Sequence, residues 1–76
     1  DAARAGGTMP AVLNAANEIA VQKFLDGKIA FSGIWRLVEE VMALHRRTAN
    51  PDLEEIMKAD SWARAAALES REGRRR

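Results

Sequence analysis

A chain of 76 residues holds one small domain, and at this length folding hides only about 60% of the surface that the unfolded chain exposes. It has no cysteine and a single histidine, His45, which excludes disulfide staples, thiolate metal sites and histidine-rich catalytic centres; no apolar run approaches the roughly 20 residues of a membrane-spanning helix. The net charge of +1 is uneven, since residues 1–69 carry eight Lys/Arg against ten Asp/Glu while the last seven, SREGRRR, carry four Arg against one Glu.

The body is therefore mildly acidic and the tail basic. Residues 70–76 read as a solvated, disordered end, with contact to nucleic acid or an acidic partner as the alternative. No signal peptide is evident, and a reducing, cytoplasmic setting is the default expectation.

In chain order, DAARAGG reads as the last turns of a helix stopped by Gly6-Gly7. Two turns do not stand alone, because nucleation is costly, so a truncated first helix and a longer parent protein are expected. Thr8 is placed to cap the next helix, with Pro10 in its first turn. That helix is predicted to run to about Asp26, with Gly27 ending it. At 100° per residue, Val12, Leu13, Ala15, Ala16, Ile19, Ala20 and Phe24 fill one broad side. Asn14, Asn17, Glu18 and Gln22 fall on the other, with Val21 and Leu25 among them, so contact nearly all round is expected.

Ile29 and Phe31, in a short link, are expected to tuck against the bundle. Ser32 is the predicted cap of SGIWRLVEEVMALHRR, whose stripe of Ile34, Leu37, Val38, Val41, Met42 and Leu44 repeats at helical spacing. His45 falls near the middle of that apolar arc, where the bland reading is a partly buried ring favoured by the helix's negative end. Residues 48–51 form a linker. Asp52 and Glu55 fit a capping box with Asp in place of Ser or Thr. Leu53, Ile56 and Met57 give an apolar edge, and Asp60 is a candidate cap for a last helix carrying Trp62, Ala65, Ala66 and Leu68. The expectation is an all-α bundle of three to four helices.

Chemistry is sparse in this pattern. The adjacent carboxylates Glu39-Glu40 and Glu54-Glu55 point about 100° apart on a helix and make no acid–base dyad. Trp35 and Trp62 lack interleaved basic residues and read as core or interface anchors. The run LNAANE is different. Asn14, Asn17 and Glu18 share a face, beside alanines that let another segment come close. Amides there can donate to and accept from irregular backbone, so the three residues are expected to form a polar packing face.

The run AGGTMPAVLNAANEIAVQKFLDGKIAFSGIWRLVEEVM, followed by LEEIMKADSWARAAAL, closely resembles the C-terminal domain of the 1-deoxy-D-xylulose 5-phosphate reductoisomerase family. The resemblance spans nearly all of residues 3–68, and PAVLNAANE with FLDGKIAF at its distance is the most specific part. Trp35 and the SREGRRR end depart from the family pattern. The resemblance implies a C-terminal helical bundle over residues 1–69, belonging to an enzyme that rearranges and reduces 1-deoxy-D-xylulose 5-phosphate to 2-C-methyl-D-erythritol 4-phosphate in non-mevalonate isoprenoid synthesis. It further implies NADPH, Mg2+ or Mn2+, and a homodimer. The nucleotide fingerprint and the metal and substrate residues of that family belong to motifs absent from this sequence. No catalytic, cofactor-binding or metal residue is therefore assigned here, and Asn14, Asn17 and Glu18 carry over as a packing face only. The expected partners are the N-terminal and central catalytic domains of the same enzyme, or a second copy of the chain, with neither a membrane nor nucleic acid. The rival reading is a stand-alone helical interaction module whose basic tail binds nucleic acid or an acidic partner.

Overall fold

The structure, a computed structural model, describes residues 7–45 and 51–71. The expected severed helix end at residues 1–6, the linker at 48–50 and most of the basic tail, residues 72–76, lie outside the described residues. Three helices follow one another: α1 (Met9–Leu25), α2 (Phe31–Leu44) and α3 (Leu53–Glu69). Among the described residues there is no strand. The fold is all-α, as the patterning predicts.

Local chemistry sets most of the boundaries. Pro10 sits in the first turn of α1, where its missing N–H removes no helical bond. The C-terminal end of α1 closes through Gly27 N–H to Phe24 O at 3.0 Å and Lys28 N–H to Lys23 O at 2.9 Å. This double closure needs a left-handed residue, which Gly27 supplies at φ +75°. α3 opens on the predicted capping box. Glu55 N–H donates to Asp52 Oδ1 at 2.8 Å, and Asp52 N–H donates to Glu55 Oε1 at 3.4 Å.

α1 lies against both other helices, while α2 and α3 touch less. The paired contacts Glu18 with Arg64 and Lys23 with Ala67 put α1 and α3 side by side, running the same way. Val12, Ala15, Ala16 and Ala20 of α1 meet Ile34, Leu37, Val38 and Val41 of α2 and Ala59, Ala63 and Ala67 of α3 in one buried cluster, joined by Ile29. Leu37 is fully buried, and such burial contributes about 1.5–3 kcal/mol.

Several expectations are corrected. Ser32 is not the cap of α2, because the helix begins at Phe31, two residues before the expected start, with Ala30 at its N-cap, where Gly33 N–H closes on Ala30 O at 2.9 Å. Asp60 caps nothing. α3 passes through it without a break, and its carboxylate instead accepts from Arg64 Nε one turn on, at 2.8 Å. Of the apolar residues on α3, Ala59, Ala63 and Ala67 are buried and Ala66 packs against them, while Trp62, Ala65 and Leu68 are exposed. The buried alanines hold α3 close to α1 and leave no volume for an indole. Trp62 is thereby left 38% exposed, and Trp35 is 64% exposed, so neither is a core residue. Ile29 is buried, but Phe31 is 67% exposed and packs edge-to-face with Phe24, ring centres 5.6 Å apart.

Candidate functional site

The LNAANE residues fall on the first half of α1. All three are exposed. Glu18 meets Arg64 of α3, its Oε2 2.5 Å from Arg64 Nη2. Arg64 also binds Asp60, and the bonds to Asp60 and then to Glu18 push its pKa up, so the guanidinium stays charged. Glu18 is thus turned toward the α1–α3 seam. Asn14 stands at the rim of a shallow groove with Ala11, Ile56, Met57, Asp60 and Ser61. Within the described residues neither Asn14 nor Asn17 has a hydrogen-bond partner for its side chain. The structure thus gathers Glu18, Asp60 and Arg64 and leaves the two amides facing outward.

A second cluster joins the three helices at the opposite end from the α1–α2 turn. Thr8 is 1% exposed and stands at the N-cap of α1, yet its hydroxyl makes no capping bond. Its Oγ1 lies 2.6 Å from Nε2 of His45, the C-cap residue of α2. The imidazole in turn lies on Trp62 of α3, ring centres 5.3 Å apart. Removal from water lowers the pKa of His45. The expected preference for a charged ring at the helix end therefore loses to burial.

The residue that sequence reading missed is Lys23. Its ammonium donates to the carbonyl oxygens of Ala67 at 2.5 Å, and of Leu68 and Ser70 at 3.0 Å each. Those are carbonyls at the C-terminal end of α3, which have no partner within the helix and carry its negative pole. Ser70 also donates its hydroxyl proton to Glu40 Oε2 of α2 at 2.9 Å. A signal for Lys23 was present, since it lies three residues after Ala20 and seven after Ala16, on the buried row of α1. The arrangement is a structural clasp that ties α1 and α2 to the end of α3.

The described residues hold no group of three or more His, Cys, Asp or Glu that could bind a metal ion. Among the described residues no glycine-rich turn joins a strand to a helix, the arrangement that holds a dinucleotide phosphate. The described residues therefore offer no cluster for a divalent metal, and no step through a metal or NADPH is assigned to them. No helix among the described residues is long and apolar enough to cross a membrane.

Comparison with known proteins shows which family the chain resembles. The family model for the DXP reductoisomerase C-terminal domain matches residues 1–66. The chain is 62% identical over 64 residues to a 1-deoxy-D-xylulose 5-phosphate reductoisomerase of Symbiobacterium thermophilum, covering 84% of this chain and 16% of that protein. The like-named protein of Halothermothrix orenii is 52% identical over 69 residues, covering 91% of this chain and 18% of that protein. A Synechocystis counterpart is 58% identical over 71 residues, with the same shares of 91% and 18%. The chain thus spans less than a fifth of the length of the curated relatives it matches.

Proposed function

The chain belongs to the DXP reductoisomerase C-terminal domain family, and we propose that it serves as the supporting helical domain of an enzyme converting 1-deoxy-D-xylulose 5-phosphate to 2-C-methyl-D-erythritol 4-phosphate. NADPH and Mg2+ or Mn2+ would be held by the other domains, in a cytoplasmic homodimer. The observation that carries this reading is the 62% identity over 84% of the chain. The domain's contribution is geometric. Small misplacements far from the reacting atoms slow catalysis markedly, and a rigid cover limits them. Lys23 and the Thr8–His45–Trp62 cluster supply that rigidity by tying the three helices at both ends.

The test is NADPH oxidation by the full-length enzyme carrying this domain, with and without Leu53–Glu69. Removing α3 exposes the alanine seam of α1, so turnover is expected to fall sharply while the 76-residue chain alone gives none. Unchanged turnover without α3, or turnover by the chain alone, would sink the supporting role. The rival interaction module predicts binding to DNA or RNA that weakens steeply with salt. Its one favourable feature is the SREGRRR end.

A further inference from the structure

The outward side of α1 carries Asn14, Asn17, Val21 and Leu25. Spacings of three and four residues set them in one row along the helix. All four are exposed, Leu25 to 70%. Because α1 is packed by both α2 and α3, this row is the ridge of a surface broader than a single helix. On its α3 flank, Met57 is 61% exposed across the groove from Asn14. The row pairs outward aliphatic side chains with amides that make no bond within the described residues, and its neighbouring charge, Glu18, is turned to Arg64.

We propose that this row is the seat of the polypeptide that precedes the domain in the full-length enzyme, and that what it meets there is the irregular main chain of a loop. This rests on the supporting role proposed above and names its contact face. Two facts select the occupant. The curated relatives have more than four fifths of their length outside the stretch matched here, so most of the surface available to cover this domain belongs to its own polypeptide. An amide both donates and accepts, as a peptide group does. Helices and sheets have already paired their main-chain groups, whereas a loop packed against a surface has not. Asn14 and Asn17 supply those bonds, and Val21, Leu25 and Met57 exclude water around them.

The test is thiol footprinting of the full-length enzyme carrying Val21→Cys and, separately, Asn17→Cys; this chain has no cysteine of its own. The rate of maleimide attachment at that peptide is read by mass spectrometry, native and in urea. Native rates more than about tenfold below the unfolded rates are expected, because reaction then waits on local opening. Equal rates at both positions overturn the proposal. Protection that fades on dilution assigns the row to a second copy and overturns it too. If deleting α3 abolishes turnover while residues 17 and 21 react freely, the supporting role stands and this face is wrong.

Discussion

Lys23 shows how one side chain can bind two helices that the backbone leaves separate. Its ammonium meets three carbonyls at the end of α3, including that of Ala67, and each bond involving a charged donor is stronger than a neutral one. Lys23→Met keeps the length of the stem and removes the donor. It is expected to lower stability by about 1–3 kcal/mol, the range for stranding bonded polar groups, read from the midpoint of urea unfolding. A loss near zero would show that water replaces the ammonium. His45 makes a second prediction. Its pKa is lowered by burial, so the folded state binds its proton less readily than the unfolded chain, whose histidine titrates near about 6.5. Stability from this group is therefore present above that pH and lost as pH falls through the lower, folded value. The thermal midpoint of the native chain should drop on acidification below about pH 6.5, and His45→Gln should remove that part of the drop. Identical pH profiles for the two proteins would count against a stabilising role for half-buried His45.

At the scale of the element, α3 is held in place by its start and by its seam. The Asp52–Glu55 capping box satisfies two main-chain donors. Asp52→Ala is expected to cost about 1 kcal/mol, measured by denaturant midpoint, with Glu55→Ala also destabilising. The seam depends on size. Ala63 is 0% exposed, and Ala63→Leu would force α1 and α3 apart, at a cost of about 1–3 kcal/mol or more for inserted methylenes. A neutral result would mean that the seam has slack. The same alanines explain why Trp62 stands outside the core. They also explain why α2, whose buried face is Ile34, Leu37, Val38 and Val41, supplies most of the bulky aliphatic volume.

For the whole molecule, the notable feature is how much apolar surface remains. Leu25, Phe31, Trp35, Leu44, Leu53, Met57 and Leu68 are each more than 60% exposed. Surfaces of this kind mark contact sites, and a small domain gains much of its stability from what covers it. Hydrogen exchange of α1 amides should therefore be slower in the full-length enzyme than in the 76-residue chain. Matching protection in the two would mean that the rest of the polypeptide adds nothing to this domain's stability.

Read alone, the sequence determined an all-α bundle of three to four helices, the stop at Gly27, the box at Asp52 and Glu55, and the aliphatic face of α2. Each depends on residues within a turn or two of one another, where spacing and capping chemistry decide. It also carried the family resemblance, through PAVLNAANE and FLDGKIAF. The tertiary structure decided what depends on neighbours distant in sequence. The Asp60–Arg64 pair inside an unbroken α3, the diversion of Thr8 to His45, the capture of the end of α3 by Lys23 and the turning of Glu18 to Arg64 all belong here. Asp60 looked like a cap because Asp often is one; only the packing of Ala59 and Ala63 against α1 keeps the helix running through it. Lys23 carries no local sign of the bonds it makes, and only the arrival of α3 beside α1 supplies the carbonyls that make its burial favourable.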